Sequence, residues 1–187
     1  MATSKGAETW KAKKWFNIQA PDILGSSTIG EMPASEEKDA IGRMIKVSMS
    51  WITHRPEHSF MVVGLRVSKV NGNSAITELN FIEQTYSYIH SLVRRHSSAI
   101  YTIDKLSDKD GRKFVLKLLA VTTTKIRTPK QMAIRKAIGE LAKEYAASHT
   151  VDEVLTAILD NTFRGEAVKR VTNIAPLSKF ELKRIEF

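Results

Sequence analysis

The segment Phe60-Met-Val-Val-Gly-Leu-Arg-Val-Ser-Lys-Val70-Asn-Gly-Asn-Ser-Ala-Ile-Thr-Glu-Leu-Asn-Phe81 reads as a β-hairpin. Its first arm, Phe60 to Val70, is apolar and β-branched, and Ala75 to Phe81 returns as its partner. Between them Asn71-Gly72 supplies the positive φ angles that a tight hairpin turn needs. Upstream, Ile45, Val47 and Met49 alternate with Lys46 and Ser48, the pattern of a half-buried strand that joins the hairpin across a loop at Pro56. Downstream, Ile82, Tyr86, Ile89 and Val93 recur at helical spacing and predict a helix of about three turns ending at Arg94-Arg95-His96. A second hairpin follows. Ile100 to Leu106 and Lys113 to Thr122 flank Ser107-Asp108-Lys109-Asp110-Gly111, which is turn chemistry. Both faces of the later arm are apolar, so it is expected at the centre of a sheet.

The carboxyl-terminal third changes period. Thr128, Pro129 and Gln131 carry the signs of a capped helix start, and Ile134, Ile138, Leu141 and Tyr145 draw its apolar stripe. Thr150 and Glu153 repeat the capping-box spacing before Val154, Leu155, Ile158 and Leu159. A third helix is expected over 165–174, and Phe180, Leu182 and Ile185 mark a closing strand or tail. Residues 20–40, with Pro21, Gly25, Gly30 and Pro33, read as irregular chain over a surface. The organisation expected is a basic arm at 1–14 and one globular domain at 15–187. That domain divides into a β-rich core at about 15–125, a helical region at about 128–175, and the closing strand or tail at 177–187.

Charge is the strongest bulk signal. The 187 residues carry 29 Lys and Arg against 20 Asp and Glu, a formal +9, which points to a polyanionic partner: nucleic acid, or less well an anionic membrane surface. The chain has no cysteine, which excludes disulfides, cysteine-ligated zinc and thiol nucleophiles. No apolar run reaches the ~20 residues of a membrane helix, and lysines from Lys5 to Lys14 do not suit a secretory signal, so the expectation is a cytoplasmic protein.

Two constellations invite catalytic readings. His54 and His58 are four apart, but Pro56 lies between them and no third ligand stands at a matching offset, so no metal role is expected. Asp104, Asp108 and Asp110 could hold magnesium for a nuclease, yet Asp108 and Asp110 are also what a turn ending in Gly111 needs. No phosphate loop, dinucleotide fingerprint or serine elbow is present, and neither an enzyme nor a cofactor is expected.

The cations are grouped. Lys125, Arg127, Lys130, Arg135, Lys136 and Lys143 fall in one stretch opposed only by Glu140, with further clusters at Lys11 to Lys14, Arg94-Arg95 and Lys183-Arg184. A single such cluster is often a solvated face, whereas several favour a large polyanion. Trp10-Lys-Ala-Lys-Lys-Trp15 can be a solvated tail or a contact in which lysines meet phosphate and indoles stack on bases.

Motifs in order along the chain then carry a resemblance. They are Trp10 to Phe16, Ala20-Pro21, Leu24-Gly25, Ile29-Gly30, Pro33-Ala34, Ile41-Gly42-Arg43-Met44-Ile45-Lys46-Val47-Ser48 and Leu92-Val93-Arg94-Arg95-His96-Ser97-Ser98. After them come Asp110-Gly111, Thr122-Thr123, Ala133-Ile134-Arg135-Lys136 and Ala175-Pro176-Leu177. The chain resembles the S-three-A-e (S-one-e) family of small-subunit ribosomal proteins shared by archaea and eukaryotes. It looks like a divergent archaeal-like member, because the family usually has acidic residues where Lys46 and Trp51 stand and leucine where Ile52 stands. The resemblance implies an α+β fold with a curved or barrel-like, mostly antiparallel β core, packed helices, a helical carboxyl-terminal third and a basic amino-terminal arm. It also implies a non-catalytic, ribosome-bound role on the small-subunit platform near the messenger exit. Ribosomal RNA and neighbouring ribosomal proteins would be the partners, with messenger RNA a further candidate and neither a membrane nor a small-molecule substrate involved. The RNA contacts expected are Lys11, Lys13, Lys14, Arg43, Arg94, Arg95, Lys125, Arg127, Lys130, Arg135 and Lys136, with Trp10 and Trp15 as stacking residues.

Overall fold

The computed structural model describes residues 13–187, which form an α+β fold of eight strands and six α-helices. Strands pair mostly antiparallel, and their order leaves edges rather than closing into a barrel. The chain divides into two compact units, the first running to Phe81 and the second from Ile82 to Phe187.

In the first unit, β1 (Lys14–Gln19) pairs antiparallel with β2 (Thr28–Ala34), and the ladder shifts register at Ile18/Gln19. A strand at 28–34 was not expected from a segment rich in proline and glycine. Its physical basis is its place as an edge strand, where Pro33 has only one neighbour to satisfy, while Met32 and Ala34 turn inward on either side of half-buried Pro33. On its other side β1 runs parallel to β5 (Ser74–Gln84), with Ile18 opposite Ala75. The hairpin partner β4 (Met61–Asn71) pairs with β5 and with β3 (Met44–Ser48), in the register Ile45 to Leu65 and Val47 to Val63. The hairpin forms as expected, but its two-residue loop is Gly72-Asn73, and only Gly72 of the Asn-Gly pair takes a positive φ. Gly64 answers a different need: a Cβ there would overlap the Phe81 ring, so only glycine lets β5 lay that ring across β4. Short helices α1 (Glu37–Ala40) and α2 (Met49–Thr53) complete the unit around a core of Phe16, Ile18, Met32, Val67 and Ala75.

Ile82 does not begin a helix. Strand β5 continues to Gln84 because Ile82 and Gln84 are buried on either side of half-exposed Glu83, a period of two, and α3 covers only Tyr86–Leu92. In the second unit β6 (Ala99–Ser107), β7 (Lys113–Thr122) and β8 (Leu177–Glu186) form an antiparallel ladder with β7 central. As its two apolar faces required, Phe114, Leu116, Leu118 and Ala120 are buried on one side and Leu119 and Val121 on the other, where Ile89 of α3 packs. Helices α4 (Thr128–Ser148), α5 (Val151–Leu159) and α6 (Thr162–Thr172) form the helical third. Helix α4 buries Ile134, Ile138 and Leu141, as its stripe predicted, and packs against β6, while the Tyr145, Phe163 and Phe180 rings meet in series at 5.4 and 6.2 Å. The segment around Phe180, Leu182 and Ile185 is a strand, with all three buried.

Candidate nucleic-acid interface

Two basic groups of the second unit, Arg94-Arg95 and Lys125–Lys130, lie at one end of its sheet, and a polar lock brings them together. After α3 the chain turns at Arg94: Ser97 N and Oγ donate to the Arg94 carbonyl, at 3.3 and 2.6 Å, and His96 takes a left-handed conformation at φ 66°. This presents Arg94, Arg95 and His96 to solvent. Ser98 then plunges inward and is 8% exposed; its amide donates to Thr122 Oγ1 at 3.1 Å, and the Thr122 amide donates to the Ser98 carbonyl at 3.0 Å. Thr122 is fully buried at the end of β7, and its hydroxyl donates to the Thr124 carbonyl at 2.7 Å. Ser98 Oγ in turn accepts from Ile126 N at 3.1 Å, which pins the Lys125–Arg127 loop beside the Arg94–Ser97 turn. Two hydroxyl side chains thus pair the buried Ser98 amide and the partly buried backbone groups of Thr124 and Ile126.

From this lock α4 departs. The capping box expected at Thr128 and Gln131 does not form, because Gln131 N already bonds to the Arg127 carbonyl at 3.2 Å, which makes Arg127 the N-cap. Gln131 instead donates its Nε2 to the Ile126 carbonyl at 3.0 Å. Arg127 supplies no side-chain cap, Pro129 needs none, and the first turn contains no acid. Helix starts carry partial positive charge on N–H groups lacking intrahelical partners. Here that charge adds to exposed Lys125, Arg127 and Lys130, which concentrates positive charge at the helix start. Further along α4, Arg135 and Lys136 are exposed opposite the buried stripe; Lys136 lies 3.9 Å from Glu140, a contact with both groups in solvent.

The remaining expected contacts belong to the first unit. Trp10 and Lys11 lie outside the described residues. Lys14 and Trp15 open β1, with Trp15 half exposed opposite Pro33 and Phe16 turned into the core; Lys13 immediately precedes the strand. Arg43 is exposed but donates Nη1 to the Pro33 carbonyl at 2.8 Å, so part of its guanidinium serves the fold. Lys46 reaches the Phe81 ring, 5.4 Å from its centroid.

The alternative constellations come apart. His54 is exposed at the end of α2, whereas His58 is buried with Nδ1 3.0 Å from Thr53 Oγ1. Asp104 on β6 turns its carboxylate against α4, its pKa pushed up by burial against an opposing pull from Lys143, and Gly139 leaves room for its oxygens. Asp108 is buried and committed to backbone amides, while Asp110 is exposed. Among the described residues no group of three or more His, Asp or Glu is placed to hold a metal, and no helix is long and apolar enough to cross a membrane.

Ser98 and Thr122 were not among the residues expected to matter. They stand inside two of the quoted motifs, but nothing in periodicity pairs positions 24 apart.

Comparison with known proteins agrees with the family resemblance. The model of the ribosomal S3Ae family matches residues 2–187. Small ribosomal subunit protein eS1 of Pyrobaculum neutrophilum is 32% identical over 179 residues, covering 96% of this chain and 81% of that protein. The eS1 proteins of Methanobrevibacter smithii and Staphylothermus marinus are 30% and 31% identical over 175 residues, covering 94% of this chain and 91% and 82% of theirs. With the family model matching almost end to end, the chain belongs to the ribosomal S3Ae family.

Proposed function

We propose that this protein is a structural component of the small ribosomal subunit that binds ribosomal RNA through the Arg94–Ser98 turn, the Lys125–Arg127 loop and the start of α4. The observation that carries the reading is the Ser98–Thr122–Ile126 lock, which holds four cations beside a helix start with no acid in its first turn. Phosphate contacts of this kind position a protein on folded RNA without reading sequence. Arg135, Lys136, Lys13, Lys14 and Arg43 extend the contact, with Trp15 half exposed for stacking. Family membership supports a ribosome-bound, cytoplasmic protein seated on the platform near the messenger exit among other ribosomal proteins. The family consists of ribosomal structural proteins, not enzymes.

The test is the salt dependence of binding to a small-subunit rRNA transcript. Replacing Arg94, Arg95, Lys125 and Arg127 with glutamine should reduce the magnitude of the log affinity against log salt slope by about 3, at roughly 0.7 to 0.9 per phosphate contact. Cross-links from these positions to rRNA in assembled subunits should accompany it. An unchanged slope, or failure of the protein to co-sediment with the subunit, overturns the reading.

A further inference from the structure

Helix α6 and the start of β8 enclose a cleft of about 480 Å³ that none of the expected contacts touches. Its polar lining is Asn161, Arg164, Lys169, Ser178 and Lys179: three cations and no carboxylate. Arg164 is held in place from behind. Its Nη1 lies 3.1 Å from Glu181 Oε1, and the other oxygen of Glu181 accepts from Gln84 Nε2 at 3.1 Å. The Glu181 side chain is 11% exposed and that of Arg164 37%, so the carboxylate is the less exposed anchor and the guanidinium reaches the surface. Among the described residues no acceptor engages Arg164 Nη2 or Nε, which leaves a planar pair of donors for an incoming anion. Gly165 lines the cleft and faces open space, since a Cβ there would meet nothing within 4 Å.

The strand register gives the cleft a neighbour. Leu177 and Lys179 pair with Thr122 and Val121, and Thr123 N donates to the Pro176 carbonyl at 3.1 Å. The β8 wall of the cleft therefore begins at the same end of the sheet as Ser98 and Thr122. From β6 across β7 to β8 is roughly 10 Å at the usual strand spacing, and each of the three strands brings cations to that end. A row of cations suits a polymer with regularly repeated charge better than an isolated acid.

We propose that the α6–β8 cleft is a second phosphodiester-binding site, taking the backbone of the same RNA beyond its contact at the start of α4. The proposal rests on the RNA-binding reading above. Lys169 and Lys179 supply charge, the Arg164 fork fixes one phosphate, and Ser178 and Asn161 offer hydrogen bonds at the rim.

Full-length protein and a small-subunit rRNA transcript test it. Lys169→Gln with Lys179→Gln should lower the magnitude of the salt slope by about 1.5, and the reference pair Arg127→Gln with Lys130→Gln by a similar amount. Gly165→Glu, which fills open space and favours the helix, should weaken binding roughly fivefold by placing a carboxylate at the mouth. In the wild-type protein, RNA should protect Lys169 and Lys179 from acylation. If the reference pair lowers the slope while the cleft variants do not, the cleft proposal falls alone. If the reference pair has no effect either, the primary reading has failed. Protection of both lysines by a deca-aspartate peptide and not by RNA would assign the cleft to an acidic protein partner and overturn the proposal.

Discussion

Two consecutive helices of the second unit start in opposite ways. At α5 every local device is present: Thr150 Oγ1 accepts from Glu153 N, Glu153 accepts from Thr150 N at 2.9 Å, and Asp152 stands in the first turn. Asp108 adds its own carboxylate from the β6–β7 turn, accepting from Val151 N at 3.2 Å. At α4 there is no side-chain cap, no acid in the first turn, and cations on both sides of the helix start. One helix start neutralises its partial charge from within the chain, and the other carries no side chain that does so. If the proposed RNA contact holds, stability and recognition are assigned to different helix starts.

The largest expected effect breaks the closed side. Asp108 is 6% exposed and accepts from Arg112 N at 2.8 Å as well as from Val151 N, tying the hairpin turn to the start of α5. Asp108→Ala removes both charge-assisted bonds and strands a buried amide, a loss of about 2–4 kcal/mol in urea unfolding. The interface at α4 does not depend on Asp108, so RNA affinity per folded molecule should be unchanged. A loss below about 1 kcal/mol would show that the carboxylate is incidental to the helix start.

A smaller effect sharpens the open side. Arg127→Asp gives α4 the cap it lacks and complements its dipole, so folding stability should rise by about 0.5–1 kcal/mol. The same change exchanges a cation for an anion where phosphate is expected, and RNA affinity should fall roughly tenfold near 100 mM salt. Opposite signs in the two measurements are the signature of a helix start kept open for a ligand. A variant that gains stability and keeps its affinity would remove that interpretation.

The contrast also shows what could be read from the chain. Thr150 and Glu153 are three apart, so both partners of the capping box lie within one window of sequence, and the structure contains it. Thr128 and Gln131 present the same spacing, but the first helical bond starts one residue earlier, at Arg127, and takes the amide that the box would have used. The hairpin, the central strand β7 and the stripe of α4 follow from local alternation or helical period and form as expected. Features set by distant pairs were illegible: β1 lies parallel to β5 through Asn17 and Ser74, Ser98 meets Thr122, and Arg164 meets Glu181. The candidate interface was therefore half visible. Its cations announced themselves by clustering, whereas the hydroxyls that hold the turns together look like ordinary loop residues until the sheet is assembled.

Protonation provides the gentlest way to separate the two helix starts. The amide of Thr150 bonding to Glu153 holds that carboxyl below the usual glutamate range against the opposing effect of burial, helped by the Thr150 hydroxyl and by nearby His149 and Lys109. A carboxyl with a lowered folded-state pKa contributes stability that is complete above its unfolded value and is lost as pH falls through the folded one. The window therefore opens at the ordinary glutamate pKa of about 4.3 and extends downward. In an NMR titration the Thr150 amide should shift with an inflection below that value, and Glu153→Gln should abolish the inflection. The first-turn amides of α4 should show no carboxylate titration of their own, because no acid stands in that turn. An inflection for Thr150 at or above the ordinary value would mean that Glu153 gains nothing from its place at the start of α5, and the closed side of the contrast would rest on Asp108 and Thr150 alone.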